Sequence, residues 1–303
     1  MTQQEQPAKQ PQKAESKEDK FKFELIYLLP ILASLLFGLL CAYIILPQDT
    51  GGISVAPISE DTPGAPIGNA IYFVVLVAVA ATVFYLLIKR RSKRIIKALV
   101  VLAMTTASLL LSILYLSAVM PYFEGALYIL IVISITLTVL FDLAIFRWGG
   151  NYRNGAVILI GGALGIFFAK YIGLYSALAI LAFLAVYDII AVYKGPVGKI
   201  AQESSGLDLL QGLSFSFKEI QMGLGDLVFY SMLTGVILFN FSSSLIPVAA
   251  AIVGILAGSV ATFYMLEKRG MFPGLPFPIM LGLICGLLAA LLLGLSFPPV
   301  GFF

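Results

Sequence analysis

The stretch Leu174–Lys194 reads LYSALAILAFLAVYDIIAVYK, an apolar run that holds one acid, Asp188, and stops at a lysine. At about 1.5 Å per residue such a run, as a helix, is long enough to cross the roughly 30 Å hydrocarbon core of a bilayer. Eight more runs of this kind lie between Glu24 and the C-terminus, at 25–46, 68–88, 95–119, 126–147, 155–172, 222–241, 245–266 and 276–297. The division between the fifth and sixth spans rests on Gly173 and its neighbours. Merging those two would leave eight spans and break the charge pattern described below.

Composition agrees with lipid as the solvent. Of the 303 residues, 60% are hydrophobic and 12% charged, too apolar for one soluble core of this length. Residues 1–22 are rich in Gln, Lys, Glu and Pro, with neither an apolar period nor a signal-peptide core, and read as a solvated, disordered tail. The fold class predicted is all-α, a polytopic membrane protein with nine transmembrane helices. Its parts are the tail over 1–22, spans one to six over 23–193, a cytoplasmic loop over 194–221 and spans seven to nine over 222–303.

Charge placement gives the orientation. With the N-terminus cytoplasmic, the inner segments hold all but one of the 19 lysines and arginines, including the run Lys89, Arg90, Arg91, Lys93, Arg94 and Lys97; only Lys170 falls outside. The outer loops carry Asp49, Glu60, Asp61 and Glu124 instead. This is the asymmetry of the positive-inside rule, and it leaves the C-terminus extracytoplasmic. The run from Lys89 to Lys97 is read as a topology anchor touching anionic headgroups or as a patch that attracts charged substrate tails, and no nucleic-acid partner is indicated. The loop over 194–221 carries Leu207, Leu209, Leu210, Leu213, Phe215 and Phe217 and is too apolar for a plain linker. It lies on the membrane surface, covers a cavity, or is an ordinary interfacial segment.

The sequence contains no histidine, which excludes a Ser-His dyad and an HExxH zinc site. Cys41 and Cys285 sit inside separate apolar runs and are read as unpaired packing residues. Hydrolytic chemistry must then rest on carboxylates or on a Ser/Lys pair. Three aspartates lie within spans, Asp142, Asp188 and Asp226, and an acid in the membrane is expensive unless paired, hydrated or near an interface.

Asp188 and Asp226 lie at similar depth, each about one to one and a half turns from the inner end of its span, or roughly 6–7.5 Å. The sixth and seventh spans run in opposite directions, so a facing pair is easy to build. Two close carboxylates cannot both ionise cheaply, so they share a proton. The charged one can take a proton from water while the protonated one donates to a carbonyl. Asp142 has Arg147 and Arg153 nearby and no glycine or proline context, and is read as one half of an interfacial ion pair. Pro30 and Pro247 are read as kinks within spans.

The flanks of the pair are unusual. Asp188 follows Tyr187, and Asp226 ends the string Gly223-Leu224-Gly225-Asp226, where absent side chains let another backbone approach. Pro273-Gly274-Leu275-Pro276 opens the ninth span on the same membrane side, and its prolines block a regular helix. Irregular backbone at that depth is tolerated only inside protein or beside water. Tyr187 fits either an interfacial aromatic or a contact to the acid or a substrate.

YD, GxGD and a Pro-x-Leu-Pro cluster on the sixth, seventh and ninth of nine spans resemble the presenilin and signal peptide peptidase family, and the size resembles its archaeal or minimal members. The resemblance implies an intramembrane aspartyl protease that hydrolyses peptide bonds in or near transmembrane helices. Asp188 and Asp226 are its implied catalytic pair, and Tyr187, Gly223, Leu224, Gly225, Pro273, Gly274, Leu275 and Pro276 its implied substrate-binding positions. Where the family usually has Pro-Ala-Leu, this chain has Pro-Gly-Leu. The N-in orientation is similar to presenilin and opposite to signal peptide peptidase. The chain lacks a long hydrophilic insert in its large loop, so no obligatory partner subunit is implied; an oligomer stays open. No metal or cofactor is called for, the implied partners are single-span membrane substrates and the bilayer, and the implied location is the cell membrane. The alternative is a cation or proton channel or transporter using the same acids.

Overall fold

The computed structural model describes residues 23–49, 53–121, 123–195, 212–217, 220–269 and 271–297. The polar tail over 1–22 and most of the loop over 194–221 lie outside the described residues. A 3₁₀ turn, Leu25–Leu28, leads into α1 (Leu29–Ile45). It is followed by α2 (Ala65–Lys89), α3 (Lys93–Val119) and α4 (Ala126–Leu143), the last continued by a π turn at Ala144–Trp148. Then come α5 (Gly150–Tyr171), α6 (Leu174–Tyr193), a hairpin of β1 (Ser214–Phe217) and β2 (Ile220–Gly223), α7 (Leu224–Asn240), α8 (Ile246–Arg269) and α9 (Pro276–Leu292).

Among the described residues, 7 helical stretches are long and apolar enough to cross a membrane, and α7 and α9 are shorter apolar helices of 17 residues. The outward faces support a membrane setting. On α2, Ile71, Val75, Leu76, Val79 and Leu86 are exposed, an apolar stripe that water would penalise and lipid does not.

Helix α7 is the hub. It packs most extensively on α5 and also touches α1, α6, α8 and α9, and its residues Tyr230 to Leu238 are all buried. The close approach of α5 is built on glycine: a Cβ on Gly165 would fall 2.7 Å from both the Met232 nitrogen and the Ser231 Cβ. The α8–α9 pair is held the same way, since a Cβ on Gly258 would sit 2.5 Å from the Phe277 backbone. With no hydrophobic force between helices in lipid, such small-residue contact is a main source of association.

Local details explain several sequence features. Pro30 and Pro247 do not kink their helices: each is the second residue of its helix, where a missing N–H has no intrahelical partner to lose. The break at Gly173 is real, with α5 ending at Tyr171 and α6 starting at Leu174. Glu60 from the loop between α1 and α2 accepts the Ser176 N–H at 3.0 Å, capping α6. Asn69 on α2 ties the same loop down through both backbone groups of Ile58, each at 2.9 Å. Lys170 donates to the Leu46 carbonyl at 3.4 Å and lies 5.1 Å from the Phe239 ring centre. Both cysteines are free.

A hairpin lies at the end of the loop read over 194–221 and at the start of the seventh span. β1 and β2 are antiparallel, with Ser214 opposite Gly223 and Phe217 opposite Ile220, and the Leu224 N–H donates to the Leu213 carbonyl at 2.8 Å. The strand therefore runs directly into α7. Gly223 is extended (φ −71°, ψ 144°), whereas Leu224 and Gly225 are already helical, so the irregular backbone before Asp226 ends at Gly223.

Candidate active site

Asp226 is the third residue of α7, and its carboxylate turns back toward Gly223 at the N-cap, with Oδ2 3.7 Å from where a Gly223 Cβ would stand. This is the position from which the acid of a capping box reaches back to the helix start. The exposed helix N–H groups at that end favour a negative side chain. Leu224 is buried against α5 and fixes the start of the helix, while Gly225 is exposed. A Cβ on Gly225 or Gly223 would meet nothing closer than 3.7 Å, so the surface beside Asp226 is open to another chain.

Asp188 lies on α6, half-buried, and its Oδ2 accepts the Leu275 N–H at 3.0 Å. That donor comes from the irregular segment before α9. Leu275, the N-cap, has φ −79° and ψ −37°, and Pro276 is the first helical residue, where proline is tolerated. Pro273, Leu275 and Pro276 are buried, and Phe272 and Phe277 stack at 5.3 Å across the segment. A backbone that proline keeps out of the helix is thereby held firmly by packing, with its N–H groups free to bond outward.

Gly274 joins the two acids. Its neighbour's N–H holds Asp188, and a Cβ on Gly274 would stand 3.0 Å from both carboxylate oxygens of Asp226. The carboxylates of α6 and α7 thus meet across one stretch of backbone from the entrance of α9. The charge of Asp188 bears directly on Asp226. Tyr187 sits beside Asp188 in sequence, about 100° around the helix, and is half-buried.

The structure therefore brings together Asp188, Asp226, Gly223, Gly274 and Leu275. Leu224, Pro273 and Pro276 support them from below, and Tyr187 adjoins Asp188 on α6. One contact was not read from the sequence: Tyr230, four residues after Asp226, donates from its hydroxyl to the Gly274 carbonyl at 2.8 Å. The spacing of one helical turn from Asp226 was a signal available in the sequence.

Asp142 behaves differently from the reading as an ion pair with Arg147 or Arg153. Its Oδ2 accepts the Thr105 hydroxyl of α3 at 2.7 Å, and its Oδ1 is buried without a hydrogen-bond partner among the described residues. The π turn beginning at Ala144 carries Arg147 onward to an exposed position. No group of three or more acids and cysteines suited to a metal occurs among the described residues.

Two family models match this chain. The one described as signal-peptide peptidase, presenilin aspartyl protease matches residues 33–209, and the one described as presenilin matches residues 198–295. Among solved structures, a presenilin family intramembrane aspartate protease crystallised in space group C222 superposes with a TM-score of 0.63 at 22% identity, over 88% of this chain and 99% of that one. The same description applies to a structure in space group P2, with a TM-score of 0.61 and 24% identity over 88% of this chain and 98% of that one. The first family model alone spans more than half of the sequence, and the helices it covers carry Asp188 of the pair, so this chain belongs to the presenilin and signal peptide peptidase family.

Proposed function

We propose that this protein is an intramembrane aspartyl protease, with Asp188 and Asp226 as its catalytic pair, that hydrolyses peptide bonds in or near the transmembrane helices of membrane-protein substrates. The observation that carries the reading is the convergence of the two carboxylates on the Gly274–Leu275 backbone. In this reading nine helices span the cell membrane with the N-terminus cytoplasmic, and the pair lies toward the cytoplasmic side.

The chemistry follows from the pair sharing one proton. A water held between the carboxyls gives its proton to the charged aspartate as its oxygen attacks the scissile carbonyl carbon. The protonated aspartate donates to the carbonyl oxygen, so the tetrahedral intermediate forms without a bare oxyanion. Collapse breaks the C–N bond as the proton taken from water passes to the leaving nitrogen and one hydroxyl of the intermediate returns its proton to the second aspartate, leaving a carboxylic acid. The pair returns to its starting state with no metal or cofactor.

A helical substrate hides its carbonyls in its own hydrogen bonds and must unwind before attack. Extended backbone at Gly223 and around Gly274 offers partners to an unwound strand, and the bare surfaces of Gly223 and Gly225 leave room for it.

The test is cleavage of a fluorogenic single-span helical substrate by purified protein in detergent, with Asp188→Ala, Asp226→Ala and an aspartyl-protease transition-state analogue. Loss in both variants and block by the analogue is the expected result. Full activity in either variant overturns it. Ion flux through liposomes that needs Asp188 or Asp226, without any cleavage, would move the assignment to a channel.

A further inference from the structure

The Gly274 carbonyl and the Leu275 N–H are the two ends of a single peptide group, and each end is held by a different element. Tyr230 of α7 donates to the oxygen at 2.8 Å, and Asp188 of α6 accepts from the nitrogen at 3.0 Å. Tyr230 is 1% exposed. It lies one helical turn after Asp226, so both rise from the same side of α7.

We infer that Tyr230 is a positioning residue of the aspartate pair, its hydroxyl fixing the Gly274–Leu275 peptide plane so that this plane delivers its N–H to Asp188. The inference rests on the proposed protease reading and adds a part to it.

Three physical points support it. A trans peptide is rigid, so pinning its oxygen also fixes the direction of its N–H. A hydrogen bond to an amide oxygen polarises the amide and strengthens donation from its nitrogen, here toward a carboxylate. The segment is also not held by helical bonds, because Pro273 and Pro276 remove two of its donors. Without the hydroxyl, nothing else identified on α7 grips the oxygen end of that peptide, although the α-carbon of Gly274 still faces Asp226. The ring of Tyr230 would keep its place in the core either way, since burial and not the hydroxyl holds it there.

The experiment compares wild type with Tyr230→Phe in the helical-substrate assay, after counting active sites by titration with the transition-state analogue. The variant removes one oxygen from a buried ring, so the fold and the number of titratable sites are expected to stay at wild-type levels. The expected result is a fall in kcat per titrated site of about tenfold or more, with KM changed less than about twofold, because the lost contact acts on the reacting groups and not on substrate docking. The pH dependence of kcat is expected to be displaced as well, since it reports the carboxylate pair whose partner has been loosened.

A second variant makes the route explicit. Leu275→Pro suits the observed φ of −79° and deletes the N–H itself. On that background Tyr230→Phe is expected to add nothing. Wild-type kcat and pH profile in Tyr230→Phe, a loss explained wholly by missing sites, or independent losses in the double variant would each overturn the inference while leaving the protease intact. Absence of cleavage by the wild type would overturn both.

Discussion

Three aspartates enter the membrane region of this protein, and two of them live differently from the third. Asp188 and Asp226 meet backbone: the Leu275 N–H for one, the Gly223 and Gly274 backbone for the other. Asp142 meets a side chain, the Thr105 hydroxyl, and leaves its other oxygen buried without a partner among the described residues. The backbone that meets the first two is kept out of helix by proline or by a strand. Asp142 sits within α4, whose backbone N–H groups are committed to its own ladder. An acid at membrane depth becomes a candidate for chemistry when neighbouring backbone is free to hold it and a second acid shares its charge. One that meets only a neighbour's hydroxyl is a packing feature.

The sharpest way to break this comparison is to neutralise each acid without changing its shape. Asp188→Asn and Asp226→Asn keep an acceptor oxygen toward the backbone beside them but cannot share a proton. Each is expected to lower kcat by at least about 10³-fold, with the folded population unchanged by circular dichroism. Asp142→Asn in the same assay is expected to stay within about twofold of wild type. Loss of activity at Asp142 comparable with that at the pair would dissolve the distinction.

A smaller effect probes the backbone between the pair. Gly274 has no positive φ, so alanine there is not strained by conformation. Its Cβ would stand 3.0 Å from both oxygens of Asp226, closer than ordinary contact, but those oxygens end a side chain that can turn. Gly274→Ala is expected to shift Asp226 by a few tenths of an ångström and to reduce kcat about threefold to tenfold without loss of melting temperature. Gly165→Ala offers the contrast. Its Cβ would meet the Met232 nitrogen and Ser231 Cβ at 2.7 Å, backbone and a branch point that cannot rotate away. That substitution is expected to lower stability by about 1–3 kcal/mol, read as a lower melting temperature with kcat per folded molecule retained.

How far the sequence foretold these regions depends on what kind of information they use. Hydropathy found each long helix among the described residues, and for 174–193 it gave both ends of Leu174–Tyr193. It started α5 late, at 155 instead of Gly150, because Asn151, Arg153 and Asn154 extend the helix beyond its apolar run. The acids, glycines and prolines of the pair were legible because each is out of place in a lipid-facing helix. The hairpin was missed although Leu213-Ser214-Phe215-Ser216-Phe217 alternates with a period of two, the mark of a half-buried strand; its apolar content was read as an interfacial tendency instead. The role of α5 as the main partner of α7 was hidden in Gly161 and Gly165, which look like ordinary small residues until a neighbour is known. Of Tyr230 only its one-turn spacing from Asp226 was legible, not its contact. Its partner lies 44 residues further on, and the contact depends on the orientation of one peptide plane.

The mildest test returns to Thr105 and asks whether the third aspartate contributes anything at all. The hydroxyl-to-carboxylate distance of 2.7 Å is short, and α3 and α4 are packed along their length, so this bond links two long helices at one point. Hydrogen bonds between membrane helices average about 0.6 kcal/mol and reach about 1.7, because the unfolded chain in lipid also finds partners. Thr105→Val leaves both oxygens of Asp142 without that donor and is expected to destabilise by about 1 kcal/mol, a shift of a few degrees in melting temperature, with kcat unchanged. In a double-mutant cycle, Asp142→Leu removes the acid that needs the donor, and adding Thr105→Val to it is expected to have no further effect. A coupling that appeared in kcat instead of in melting temperature would tie the α3–α4 pair to the reaction, and Asp142 would then belong with Asp188 and Asp226.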